Sequence, residues 1–218
     1  MPAKLGYWKI RGLAQPIRLL LAYTGTDYED VQYEAGGPPD YDRSCWFSVK
    51  ETLGLPFPNL PYYIDGDIKI TQSNAILRYI GEKNKLAGTT EQDRATVLTL
   101  ENELMDFRNG FVRLCYNQGF NQELRDNYIK DVKGGKLKRF SAFLADREWN
   151  AAGGITFVDF VMYELLDQHV TFEPTILDEF PNLKAFLKRF EALPVIKSYM
   201  ESPKFMKSPI NNPTAKWK

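Results

Sequence analysis

Between residues 62 and 71 apolar and polar positions alternate over two short runs. Ile68 and Ile70 are interleaved with Lys69 and Thr71, the period-two pattern of a strand with one face covered. Tyr62-Tyr63-Ile64 forms the run before it, and Asp65-Gly66 between the two predicts a hairpin turn. Pro61 stands at the entrance of the first strand. That puts the strand at an edge, or the proline where its missing N–H does no harm. Backbone groups beside it stay free to pair with an extended peptide. Gln72-Ser73 then opens a helix over residues 73–83, with Ile76, Tyr79 and Ile80 on one face. A helix N-terminus attracts anions, so residues 59–73 read as a site for a small acidic peptide.

Upstream, strand and helix patterns alternate. Residues 4–9 read as a strand and 16–24 as a helix, with Pro16 in its first turn and Gly25 just past its end. Residues 28–33 make a second strand, 34–45 a turn-rich loop and 46–53 a short helix. After Gly88 the strand patterns stop. Thr90-Glu91-Gln92-Asp93 is a capping box. Behind it Val97, Leu100, Leu104, Phe107, Phe111 and Leu114 keep a three-four spacing along a helix of roughly 40 Å. Gly134-Gly135 marks a break before a helix over 136–147. Ile155 to Phe160 combines a second capping box with a hydrophobic staple. A final helix covers 182–193 and stops before Pro194, and residues 208–218 are a polar, proline-containing tail. The pattern predicts an α/β domain over residues 1–84, a linker at 85–89 and an all-helical domain over 90–218.

Composition narrows the function. The 218 residues are ample for a hydrophobic core. Lys+Arg and Asp+Glu both number 28, so no basic stripe suits a nucleic acid. The longest apolar run, Ile17 to Tyr23, is interrupted by Arg18 and falls short of the ~20 residues of a membrane span. Met1-Pro2-Ala3-Lys4 lacks the apolar stretch of a secretion signal. Cys45 and Cys115 form no CxxC pair, which suits reduced thiols in the cytoplasm. His169 is the only histidine, which argues against a multi-histidine metal site or a Ser-His-Asp triad.

Candidate chemistry has two readings at most positions. Tyr7 ends the first strand ahead of Gly12 and a helix, where α/β units bind ligands; it is also readable as a half-buried strand aromatic. Trp46 and Lys50 at i, i+4 place an indole N–H and an ammonium on one helical face, donors suited to a carboxylate. The plainer reading is a surface aromatic with a solvated lysine. Ser73 doubles as an ordinary N-cap, Asp106 as a solvated charge, Tyr116 as core and His169 as a helix-end residue. Phe57, held between Pro56 and Pro58, is a rigidly presented aromatic suited to an interface.

Taken together, the segments LGYW (5–8), IRGLAQPIRLLL (10–21), DYDRS-W (40–46), PFPNLPYYIDG (56–66), ITQSNAILRYI (70–80), CYN (115–117), ITFVDF (155–160) and FEPTILDEFPNLKAFLKRFEALP (172–194) resemble the mu-class glutathione transferases. The resemblance spans nearly the whole chain. It implies a thioredoxin-like α/β N-terminal domain and an all-α C-terminal domain. It also implies a homodimeric cytoplasmic enzyme that conjugates glutathione to hydrophobic electrophiles, with glutathione a co-substrate and no metal or other cofactor.

By the same resemblance Tyr7 is the catalytic tyrosine, donating to the glutathione sulfur. Trp8, Arg43, Trp46 and Lys50 belong to the glutathione site, with the last two at the glycyl carboxylate. Asn59 and Leu60 pair with the cysteinyl part, Pro61 is cis, and Gln72 and Ser73 hold the γ-glutamyl end. Asp106 reaches the partner subunit's site, and Phe57 inserts into the neighbouring subunit. Ile10, Leu13, Met105, Phe111, Val112 and Tyr116 line the electrophile pocket. Thr156 and Asp159 form a structural capping box. Arg108, Glu51 and Ile210-Asn211-Asn212 depart from the family pattern, which bears on electrophile preference. Two other readings compete: a non-catalytic ligand carrier of the same fold, and a thiol–disulfide oxidoreductase. The latter needs a cysteine near the first helix, where Tyr7 stands instead.

Overall fold

The computed structural model describes residues 2–217. The N-terminal pattern becomes a four-stranded mixed sheet in the order β2-β1-β3-β4. β1 (Ala3–Trp8) and β2 (Tyr28–Tyr33) run parallel and are joined by helix α1 (Gln15–Tyr23). β3 (Tyr62–Asp65) lies antiparallel to β1, and β4 (Ile68–Thr71) antiparallel to β3. The hairpin loop is Gly66-Asp67, with Gly66 at φ 62°, the sign its first position needs. β3 is an inner strand, so the edge placement expected from Pro61 is not realised. The proline precedes Tyr62, the first paired residue, and its missing N–H removes no ladder bond. The Leu60–Pro61 peptide is cis.

Helix α2 (Ser44–Phe47) precedes the hairpin and α3 (Ser73–Lys83) follows it. The helical half comprises α4 (Glu91–Cys115), α5 (Gln122–Val132), α6 (Lys138–Leu144), α7 (Phe157–Phe172), α8 (Pro181–Glu191) and α9 (Pro194–Glu201). α7 is the hub. It packs against α1, α3, α4 and α8 and buries Phe157, Val158, Phe160, Leu165 and Leu166. Both expected capping boxes form, at Thr90–Asp93 and Thr156–Asp159. Phe157 N–H donates to Leu86 O at 2.8 Å, tying the start of α7 to the segment after α3.

Three helical expectations change. Residues 46–53 do not form one helix: α2 ends at Phe47, and a separate 3₁₀ turn covers Lys50–Thr52. Gly134-Gly135 does not interrupt the chain. It lies in a π-helical turn, Lys133–Leu137, that runs α5 into α6, and α6 ends at Leu144 before Ala145 turns to φ 51°. Pro194 ends one helix and starts another. A proline at the first helical position gives up an N–H that would have had no partner there.

His169 lies in the last turn of α7, fully buried and stacked on Phe107 at 4.2 Å. Its Nδ1 lies 2.6 Å from Leu165 O and must donate there, so Nε2 accepts from the Tyr128 hydroxyl at 2.7 Å. Burial pulls its pKa down to about 4. The unfolded chain takes up a proton near pH ~6.5 while the native ring stays neutral to about pH 4. Stability is therefore expected to fall as pH drops through that window, by on the order of 3 kcal/mol. As the only histidine, its ring gives a single NMR titration. A native midpoint near 6.5 would contradict the prediction.

Candidate active site

The C-terminal ends of β1 and α4 face each other across a cleft of about 340 Å³. Its walls are Tyr7, Trp8, Ile10 and Gly12 from β1 and the loop after it, Arg43, Trp46, Phe47 and Lys50 from α2 and its flanks, and Pro58, Asn59 and Leu60 ahead of β3. Arg108, Val112 and Tyr116 come from α4, and Asn211 and Asn212 from the tail. Among the described residues the lining holds three cations, Arg43, Lys50 and Arg108, and no carboxylate. Such a lining attracts anions. Burial pulls the Arg108 pKa below its ordinary value, with Tyr7 and Tyr116 opposing, but a guanidinium remains charged at neutral pH.

Tyr7 is buried, and its hydroxyl oxygen accepts the Leu13 N–H at 3.2 Å. No acceptor for its proton stands among the described residues, so that proton is available to a ligand. Gly12 makes room for this: it has φ 43°, and a side chain there would come within 2.7 Å of the Tyr7 hydroxyl. Across the cleft the Tyr116 hydroxyl accepts the Asn212 N–H at 2.8 Å, and burial raises its pKa. Trp46 is no surface aromatic. It is 4% exposed and packs on Tyr62 and Tyr33, and it lines the cleft together with Lys50 despite the broken helix. Leu60 N–H is held by Asn59 Oδ1 at 2.9 Å.

The structure thus gathers Tyr7, Trp8, Ile10, Arg43, Trp46, Lys50, Asn59, Leu60, Val112 and Tyr116 around one cavity. Leu13, Ser73 and Met105 border a second, smaller apolar pocket that adjoins the cleft at Gly12 and Arg108. Gln72 caps α3 at φ 74° and is exposed. A non-glycine residue in that region stores strain, a feature that clusters at ligand sites. Asp106 is exposed on α4, and Phe57 is 77% exposed. Phe111 is corrected: at 1% exposure it sits among His169, Phe172 and Trp217, away from the cleft. Helical geometry explains this. Phe111 shares the core stripe of Leu104 and Phe107, whereas Arg108, Val112 and Tyr116, each four residues apart, form the stripe toward the cleft.

Gly12, Phe47 and Pro58 were not anticipated as wall residues. Nor was the tail's path as a strap. Arg11 and Gly12 N–H donate to Pro209 O and Ile210 O at 2.8 and 3.1 Å, and Lys216 N–H to Cys115 O at 2.8 Å. Trp217 packs between Phe111 and Phe172. Apolar Ile210, Ala215 and Trp217 in an otherwise polar tail were the available signal.

Known proteins give the same picture. The family model described as glutathione S-transferase, N-terminal domain matches residues 3–82, and that for the C-terminal domain matches residues 105–203. Glutathione S-transferase Mu 3 of Macaca fuscata fuscata is 54% identical over 98% of this chain and 94% of its own. Glutathione S-transferase Mu 4 of Mus musculus is 53% identical over 100% and 99%. The solved pi-class glutathione S-transferase of Onchocerca volvulus superposes with a TM-score of 0.85 at 32% identity, covering 99% of this chain and 100% of that one. The crystal structure of the glutathione S-transferase Blo t 8 gives 0.87 at 34%, covering 97% and 98%. With a thioredoxin-like mixed sheet, a helical C-terminal domain and this degree of identity, the chain belongs to the glutathione S-transferase family, in its mu class.

Proposed function

We propose that this mu-class glutathione S-transferase joins the glutathione thiolate to hydrophobic electrophiles in the cytosol, as a detoxifying homodimer. The observation that carries the reading is the Tyr7 hydroxyl. Its oxygen is fixed by Leu13 N–H and its proton meets no acceptor among the described residues, in a cleft lined by cations. A free thiol titrates near ~8.5, and its thiolate is the nucleophile. A donor aimed at the sulfur favours the thiolate, and the Arg108 charge works in the same direction. Arg43, Lys50 and the Trp46 indole supply donors for the carboxylates of the tripeptide.

With a chlorinated dinitrobenzene the thiolate attacks the carbon bearing chlorine. Negative charge passes into the ring, and chloride departs. The thiol proton leaves to solvent when the tripeptide binds. Tyr116, on the far wall, is placed to donate to an electrophile's developing oxyanion. Asn211 and Asn212 make that wall more polar than an aromatic lining, which favours electrophiles carrying hydrogen-bonding groups. Glutathione-dependent conjugation of this substrate, followed by absorbance, tests the reading. A rate no higher than the uncatalysed one would leave the ligand-carrier alternative.

The dimer reading rests on Phe57, an aromatic 77% exposed between two prolines. A large apolar side chain held out rigidly is best accounted for by a pocket on a partner. Asp106, exposed on α4, then serves the partner's cleft. Phe57→Ala is expected to raise the dimer dissociation constant by about 100-fold. Sedimentation at low concentration showing an unchanged dimer would count against it. Residues 1–84, 85–89 and 90–218 serve as glutathione-binding domain, linker and electrophile domain. Cytosolic placement is supported by two free cysteines and by the lack, among the described residues, of any helix long and apolar enough to cross a membrane.

A further inference from the structure

The Tyr7 hydroxyl depends on a loop whose fastening lies outside the cleft. Leu13, which supplies the N–H to Tyr7, follows Arg11 by two residues. Arg11 is 3% exposed, and its side chain crosses to α7. Nε donates to Glu164 Oε1 at 3.0 Å, and Nη2 donates to Glu164 Oε2 at 2.8 Å and to Asp167. Nη1 reaches Lys207 O at 3.4 Å, and Gln168 Nε2 donates to Glu164 Oε1 at 2.7 Å. The backbone is held as well: Arg11 O accepts the N–H of Ala14 and Gln15 at 3.1 and 2.9 Å.

Such a cluster is a weak source of net stability, because desolvation offsets the attraction. What a two-bond guanidinium–carboxylate pair does supply is direction: it fixes the plane of Arg11 and the backbone that follows. Burial opposes the charge on Arg11, but Glu164 and then Asp167 outweigh it, and its pKa is held above the ordinary value. Arg11 thus stays charged at every working pH, while burial raises the Glu164 carboxyl above its ordinary value and Arg11 opposes that rise.

We propose that Arg11, clamped by Glu164, is a positioning residue for the reaction. It sets the loop so that Leu13 N–H polarises the Tyr7 hydroxyl and strengthens that hydroxyl's bond to the thiolate. Hydrogen bonds in series reinforce one another in this way. The inference rests on the reading of Tyr7 given above. Arg108 and Tyr116 of α4 are the charged and titratable groups that couple to Tyr7 from across the cleft. The substitutions leave both in place.

The test is the pH dependence of kcat/KM for the chlorinated dinitrobenzene at saturating glutathione. It is run on the parent, Arg11→Lys, Glu164→Gln, Tyr7→Phe and the two double variants that combine Tyr7→Phe with each of the other substitutions. Arg11→Lys is expected to raise the apparent pKa of the bound thiol by about half a unit. The glutathione KM should change by less than about twofold. Glu164→Gln, which keeps the shape, should shift the profile in the same direction, and it carries the test if Arg11→Lys does not fold. In the Tyr7→Phe background neither substitution should move the profile further. A lower unfolding temperature with an unmoved profile overturns the proposal, as does an equal shift when Tyr7 is absent. If Tyr7→Phe by itself leaves the profile in place, the role of Tyr7 fails first and this inference with it.

Discussion

Tyr7→Phe is expected to lower kcat/KM for conjugation roughly 100-fold and to raise the apparent pKa of the bound thiol by about two units. A hydrogen bond to a charged group contributes ~1.5–3 kcal/mol, and here it acts on the nucleophile in a partly dry cleft. The substitution removes one oxygen. The ring stays packed, and among the described residues only Leu13 N–H loses a partner, in a place where water can enter from the cleft. Glutathione affinity should therefore hold within a few-fold, and unfolding should change by about 1 kcal/mol or less. Rates against pH, read beside thiolate absorbance of the bound tripeptide, separate activation from binding. Activity close to the parent's, with an unmoved profile, would take Tyr7 out of the role.

Asp159→Ala is expected to produce the largest loss of stability, about 4 kcal/mol, with an unfolding temperature lower by about 10 °C. The carboxylate is fully buried at the start of α7. Oδ1 accepts Asn150 N–H at 3.0 Å and Asn150 Nδ2 at 2.8 Å. Oδ2 accepts Thr156 N–H at 2.7 Å and the Thr156 hydroxyl at 3.0 Å. Alanine leaves all four donors without an acceptor where solvent does not reach, and each such orphan costs ~1–3 kcal/mol before relaxation. The damage falls on the hub helix, beside the Phe157–Leu86 bond that joins it to the sheet half. Urea unfolding at neutral pH measures the loss. A change under about 1 kcal/mol would show the box to be dispensable, and folded protein at low temperature should retain full specific activity.

The elements legible in the sequence are those whose causes lie within a few residues. The hairpin over Tyr62–Thr71 follows from alternation and Gly66, and α3 from its apolar face. Both capping boxes follow from side chains three positions apart. Errors arose where local chemistry permits two outcomes. Pro194 suits both a stop and a first turn, and Gly134-Gly135 is compatible with a break or a π turn. The placement of Phe111 failed for a different reason. Periodicity groups residues into stripes but does not say which stripe meets the core and which the cleft.

From the sequence alone came the fold class, the resemblance to mu-class enzymes, and the residue types that an acidic tripeptide and its thiol require. These rest on local pattern and on motifs whose spacing is short. Tertiary structure decided that Phe111 turns into the core, away from the wall that Arg108, Val112 and Tyr116 form, and that the tail straps across that wall. It also decided that Arg11 is fastened to Glu164, 153 residues away. Contacts of that range leave no periodicity along the chain. They arise only when the burial of α7 against α1 brings the two partners into one water-poor space, where a charge must find its counter-charge.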